Sequence, residues 1–340
     1  MEQKNRFESV TVIAEIGVNH NGSLALAKEL IQKSRDAGAD YAKFQTFKAT
    51  SVASSSAPVA NYQKAFFKGD RQVDLLASLE LSEANFEELV RYCDEQGIGF
   101  LTTAHDLGVA NFVFSLDSDF IKVPSGDITN FPFLQLVGSL NKPVLLSTGA
   151  SKRDEVFRAI EVLESQGLSR SLITVMQCTT EYPAPIEEAN LLAMVDMGNR
   201  WGVATGFSDH TAGHEASVAA VALGASVIEK HITLDRQMEG PDHAASLEPQ
   251  EFATMVASVR RVQQSLGGVE KVVTSAEAPN RQVIRKSIVA TRVIEEGEIF
   301  SAENLGVMRP ATGISPMEWP QILGAKAQRS YLPQEMIESP

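Results

Sequence analysis

The sequence predicts an α/β fold: a closed barrel of eight parallel strands, each followed by a helix, with a small β-rich domain appended. Three observations carry this expectation. Short apolar runs alternate with helix-period stretches eight times within about 265 residues, which favours a (β/α)8 TIM barrel over an open sheet. No glycine-rich nucleotide fingerprint follows the first apolar run, as a dinucleotide-binding sheet would require. After Gly267-Gly268 the helical period gives way to short β segments and turn residues such as Glu295-Glu296-Gly297-Glu298.

In order, residues 10–16 (VTVIAEI) read as a buried strand closed by Gly17, and 18–22 (VNHNG) as turn chemistry. Ser23 caps a helix whose apolar face is Leu24, Ala27, Leu30 and Ile31. Ala37-Gly38-Ala39 stops it before a second strand at 41–46. Residues 48–70 have no period and are too long for a bare connection, so a lid is expected there. Ser82 caps the next helix, which ends at Gln96-Gly97. Strands follow at 98–103, 120–123, 143–147 and 172–178, with helices at 106–115, 130–138, 151–167 and 188–198. A final strand–helix–strand unit occupies 203–232, and 249–266 supplies the last helix. The expected division is a barrel domain over 1–275, a linker over 276–285 and a C-terminal domain over 286–340.

Composition bounds the function. A hydrophobic content of 44% suits a chain with a large core, and a net charge of −13 argues against nucleic acid as a partner. Cys93 and Cys178 fall in different elements and read as core packing in a reducing compartment. Residues 1–6 lead into no apolar targeting segment, and no run of about 18 apolar residues occurs. A cytoplasmic location away from membranes is the expectation.

In an eight-stranded barrel, functional side chains sit where strands end at the C-terminal face. That rule selects Glu15, Lys43, Thr103, Lys122, Ser125, Ser147, Thr180, His210, Glu229 and His231. His210 and His231 end neighbouring strands of one βαβ unit, so two imidazoles stand side by side as half of a metal site, or as two hydrogen-bonded histidines. Strand alternation turns Glu229 inward with His231 and Lys230 outward. Lys43 and Lys122 interrupt apolar strands and must meet an anion or pair with nearby acids. With three hydroxyls on the same arc they form a cradle for a phosphorylated carboxylic acid. Closure brings Glu15 near both histidines. A metal, a carboxylate and an anion cradle together suit addition of an enolate-like nucleophile to a polarised carbonyl. Of the other histidines, His214 has helical ligand spacing from His210. His20 and His243 lie in loops, and His105 faces the mouth.

The residues also carry a resemblance. AEIGVNHNGS (14–23), AKFQTF (42–47), IKVPSGDITN (121–130), CTTEYPAP (178–185), GFSDHT (206–211), EKHITLD (229–235) and GPDHAASLEP (240–249) resemble the sialic-acid (nonulosonate) synthase family. MRPATGISPMEW (308–319) is similar to its antifreeze-like (SAF) C-terminal domain. The resemblance spans about residues 10–337. It implies condensation of phosphoenolpyruvate with an N-acylated mannosamine-type sugar to a nine-carbon 2-keto acid, with release of phosphate. It also implies a divalent metal, Mn²⁺ or Mg²⁺, and a domain-swapped homodimer.

By matching motif, the resemblance makes His210 and His231 the metal ligands. Lys43, Thr103, Ser125, Ser147 and Thr180 surround the phosphate, and Lys122 lies nearer the carboxylate. Glu15, Tyr182, Glu229 and Asp242 face the sugar, and Arg309 reaches it from the partner subunit. Glu15 is the first candidate to handle the proton of the attacking water. Two departures stand out. Thr102-Thr103-Ala104-His105 replaces a common serine-threonine-proline-phenylalanine, and Ser147-Thr148-Gly149-Ala150 replaces serine-threonine-glycine-methionine. Both keep the hydroxyls and change the adjoining wall. AKFQTF, CTTEYPAP and Asn61-Tyr62-Gln63 look most like N,N′-diacetyllegionaminate synthases, with N-acetylneuraminate and pseudaminate synthases as the alternatives. A metal-dependent pyruvate aldolase and a non-catalytic sugar-binding protein are more distant readings.

Overall fold

The computed structural model describes residues 9–52, 69 and 71–339. Its first unit, residues 1–267, is built on a closed parallel barrel. The strands are β1 (Thr11–Gly17), β2 (Tyr41–Thr46), β3 (Gly99–Ala104), β4 (Ile121–Val123), β5 (Val144–Ser147), β6 (Ile173–Gln177), β7 (Ala204–Asp209) and β8 (Val227–His231). Closure is parallel pairing of β8 with β1, which sets Glu15 opposite His231.

The barrel interior is layered. Ile13, Leu101, Leu145, Met176 and Val227 form its apolar floor. Two residues further along four of those strands come Glu15, Thr103, Ser147 and Glu229, all buried. A side-chain period of two thus puts a polar layer directly above a dry one. Gly206 makes the floor possible: a Cβ there would lie 2.3 Å from Met176 Sδ. Outside the barrel, two apolar clusters pack the strands against the helices.

Local signals set the helix ends as expected at several points. Ser23 accepts the Leu26 N–H, and Ser82 exchanges hydrogen bonds with Asn85. Gly97 ends its helix in the left-handed conformation (φ 70°). Elsewhere the structure differs. The helix expected over 188–198 runs Leu191–Trp201, because Asn190 at φ 48° breaks the chain before it. An unexpected helix, Gln72–Leu79, forms because Leu75 and Leu79 bury against Val18 and Phe47. Of the expected lid, Ala49–Val52 is a short helix, while 53–68, including Asn61-Tyr62-Gln63, and residue 70 lie outside the described residues.

The second unit comprises residues 268–340. Within the segment read as a linker, Ala278–Ile284 is helical. Strands β9 (Ser287–Ala290) and β10 (Leu305–Met308) pair antiparallel over a core that includes Ile288, Ile294, Phe300 and Tyr331.

Candidate active site

The polar layer opens into a cavity of about 470 Å³ at the C-terminal ends of the strands. Its floor is a quartet of charges. Lys43 Nζ lies 2.5 Å from Glu15 Oε2 and 3.7 Å from Glu229 Oε2. Lys122 Nζ lies 2.6 Å from both Glu229 oxygens. All four side chains are at most 5% exposed. Two ammoniums and two carboxylates sum to zero, which lets four charges be buried together.

Burial alone would raise the Glu229 carboxyl, but the Lys122 and Lys43 ammoniums outweigh it and hold it at about 2. Burial would lower Lys43, yet Glu15 and Glu229 keep it above its ordinary value. Glu15 keeps a raised carboxyl, through burial and the nearby Glu229 charge, against the pull of Lys43. The lysines therefore meet acids of the barrel itself, the pairing the sequence left open beside an external anion.

Hydroxyls and the two histidines complete the walls. Thr103 accepts from Lys43 at 3.3 Å. Ser125 Oγ accepts the Gly149 N–H at 2.9 Å and stands 3.3 Å from Cys178 Sγ. Ser147, Thr180 and Tyr182 line the same cavity. His210 Nδ1 donates to the Thr179 carbonyl at 2.7 Å, so Nε2 carries the lone pair. Ser208 Oγ sits 3.3 Å from that Nε2 but gives its one proton to Glu229 at 3.0 Å, leaving the lone pair open. The His231 ring centroid is 5.7 Å from that of His210, and its buried Nδ1 has no hydrogen-bond partner. Desolvation lowers His210 to about 4 and His231 well below its usual value, so both rings are neutral near pH 7. Neutral imidazoles with open nitrogens are the form that ligates a divalent cation. Among the described residues no group of three or more His, Cys, Asp or Glu side chains could hold a metal ion.

Most residues selected from the sequence meet here. Asp242 stands apart from the cavity lining, with Oδ2 4.0 Å from His231 Nδ1, and burial pushes its carboxyl up to about 7. Arg309 belongs to the second unit, is exposed, and donates from Nε to the Ile284 carbonyl. His214 lies outside the cavity lining, at the start of the helix Glu215–Ala222. His20 Nδ1 accepts the Gly22 N–H, and His243 Nδ1 bonds with Thr233. His105 lines the cavity.

Gln45, Ser208 and Cys178 were not among the expected site residues. Gln45 donates to Glu15 at 3.1 Å. Alternation would have found the first two, since Gln45 follows Lys43 by two and Ser208 precedes His210 by two. Cys178, read as core packing, is buried but also lines the cavity.

Comparison with known proteins identifies the family of the chain. Residues 30–271 match the NeuB family model and residues 285–337 the SAF domain model. The chain is 45% identical over 327 residues to the N,N′-diacetyllegionaminic acid synthase of Campylobacter jejuni, covering 96% of this chain and 98% of that one. Against the Legionella pneumophila protein of the same name it is 40% identical, covering 95% and 92%. Among solved structures, the N-acetylneuraminic acid synthetase of Leptospira borgpetersenii superposes with a TM-score of 0.71 at 29% identity, over 80% of this chain and 90% of that one. By sequence, barrel and C-terminal module alike, the chain belongs to the NeuB family.

Proposed function

We propose that this protein condenses phosphoenolpyruvate with a 2,4-diacetamido mannose-type sugar, giving N,N′-diacetyllegionaminate and phosphate. The observation that carries the reading is the cavity itself, where two open neutral imidazoles share one space with two buried ammoniums and a row of hydroxyls. The names of the Campylobacter and Legionella relatives supply the sugar.

In this reading Lys43, Thr103, Ser125, Ser147 and Thr180 receive the phosphate, and Lys122 the carboxylate. Both ammoniums are exchanged in part from Glu15 and Glu229 to the incoming anion, which loosens the hold on the two carboxylates. Ser125 already accepts from Gly149, which leaves its O–H to donate. His210 and His231 hold a divalent cation, Mn²⁺ or Mg²⁺. When bound, that ion supplies polarisation of the open-chain aldehyde. C3 of phosphoenolpyruvate bonds to the aldehyde carbon as the C2=C3 and aldehyde C=O π bonds break, the aldehyde oxygen takes up a proton to become a hydroxyl, and water adds at C2. Glu15, released from Lys43, takes the proton of that water. The tetrahedral carbon then expels phosphate with its bridging oxygen, and the 2-keto group forms. Tyr182 and Asp242 lie toward the sugar, and Arg309 of the partner subunit contacts its N-acyl group in a domain-swapped homodimer. No described helix is long and apolar enough to cross a membrane, and action on soluble substrates in the cytoplasm is part of the proposal.

The test is phosphate release from phosphoenolpyruvate with 2,4-diacetamido mannose-type, N-acetylmannosamine and altrose-type sugars, each with and without chelator. Chelator-sensitive release, fastest with the diacetamido sugar, is the expected result. Preference for N-acetylmannosamine would make the protein a neuraminate synthase. Equal turnover with free pyruvate would replace condensation by aldol chemistry.

A further inference from the structure

Among the described residues, Lys230 and Asp209 form an ion pair in which both side chains are fully buried, at 0% exposure. It lies outside the cavity lining, yet each member is adjacent in sequence to one of the two open histidines. Lys230 Nζ is 3.2 Å from Asp209 Oδ2 and donates to the Thr211 carbonyl at 2.5 Å. Asp209 and Thr211 are the residues on either side of His210, and Lys230 immediately precedes His231. One ammonium therefore grips both flanks of the first histidine while being bonded in sequence to the second.

The carboxylate is equally committed. Asp209 Oδ1 accepts from Thr211 N at 2.9 Å and from Thr211 Oγ1 at 2.7 Å, and Oδ2 accepts from Ser217 Oγ at 2.6 Å. In the β7–β8 ladder Asp209 pairs in register with Lys230. A fully buried ion pair is a weak source of stability, because desolvation offsets its attraction and an apolar pair of similar volume folds as well or better. What it adds is direction. Bonds from one charge to a side chain and a backbone carbonyl define the backbone of 209–211, and with it the placement of the His210 ring relative to His231.

We propose that the Lys230–Asp209 pair is a positioning device that sets the separation of the His210 and His231 imidazoles for a divalent cation. The proposal rests on the reading of these histidines as ligands. It is tested on the full-length protein by titrating Mn²⁺ alone and following the free-ion signal by electron paramagnetic resonance, beside thermal melting and phosphoenolpyruvate affinity. The double variant Asp209→Leu/Lys230→Met keeps the volume apolar and is expected to melt at or above the wild-type temperature. Its Kd for Mn²⁺ should rise at least tenfold, with phosphoenolpyruvate affinity within about twofold and kcat recovering at saturating Mn²⁺. Asp209→Asn, which keeps the shape and removes the charge, should raise the same Kd at least threefold. A folded double variant that binds Mn²⁺ as the wild type does overturns the proposal, as does unchanged affinity in Asp209→Asn. His210→Ala/His231→Ala is the separate control. Undiminished Mn²⁺ binding there removes the ligand reading, and the positioning role with it.

Discussion

The Lys122 ammonium lies 2.6 Å from both carboxylate oxygens of Glu229, joining β4 to β8 across the barrel interior. The two are 107 positions apart in sequence, and together with Lys43 and Glu15 they make the barrel mouth both charged and neutral overall. A site built this way can accept an anionic substrate by exchanging partners, without first holding bare positive charge.

The pair therefore predicts an asymmetry between single and double substitutions. Lys122→Met leaves the Glu229 carboxylate buried with a weaker partner, and should cost about 3–5 kcal/mol in urea unfolding. Lys122→Met/Glu229→Leu should recover most of that loss while turnover stays below a hundredth of wild type. If the double variant is no more stable than the single one, the two charges are not energetically coupled.

Glu15 carries a second prediction. Its side chain is held by Gln45 at 3.1 Å and Lys43 at 2.5 Å, so Glu15→Gln preserves shape and removes the proton acceptor. kcat should fall at least a hundredfold, while KM for phosphoenolpyruvate changes by less than about fivefold. Near-normal turnover would remove Glu15 from the proton transfer.

The strand-end carboxylates and histidines were legible in the sequence because two local rules locate them: a strand's side chains alternate, and a barrel works at its C-terminal face. Those rules name Glu15, Lys43, Glu229 and His231 without any knowledge of contacts. They cannot say that Lys122 reaches Glu229 or that Lys43 reaches Glu15, because these distances come from closing the barrel. The helix Gln72–Leu79 escaped notice for a related reason. Its Leu75 and Leu79 find their partners in Val18 and Phe47, on distant loops, and not in a long repeat of their own. Asn190 hid the true start of the helix Leu191–Trp201, since its left-handed backbone has no compositional mark beyond the asparagine itself.

His105 leads to a third prediction. Burial, with Lys43 and Lys122 adding, lowers the imidazole to about 4, and its buried Nε2 has no hydrogen-bond partner. An unpartnered buried nitrogen costs roughly 1–3 kcal/mol. His105→Phe should therefore raise the unfolding free energy by about 1 kcal/mol, and, since the ring lines the cavity, it should change KM for the sugar severalfold. A drop in stability would show that the imidazole is satisfied in solution.

Acid should destabilise the fold through histidines away from the His210–His231 pair. Burial lowers His20 and His243 to about 4, against about 6.5 when unfolded. The unfolded chain then binds protons first, so the stabilisation is complete above about pH 6.5 and is lost as pH falls toward 4. Each residue contributes on the order of 1 kcal/mol per pH unit in that window. Urea midpoints measured with chelator between pH 7.5 and 5 should fall, and the slope should flatten in His20→Gln/His243→Gln. An unchanged slope would mean that neither ring is held neutral by the fold.

Arg309 tests the two-chain reading. Its guanidinium is exposed and bound through Nε to the Ile284 carbonyl, so the remaining N–H groups are available to an acyl oxygen. If Arg309 of the partner subunit contacts the sugar, Arg309→Ala should raise KM for the sugar at least tenfold and KM for phosphoenolpyruvate by less than about twofold. Mixing Arg309→Ala with His210→Ala/His231→Ala chains under exchange conditions adds a stricter measurement. A heterodimer pairs one intact barrel with one intact Arg309, so activity should reappear in the mixture although neither parent is fully active. Equal effects on both substrates, or no recovery on mixing, would place Arg309 outside the sugar site.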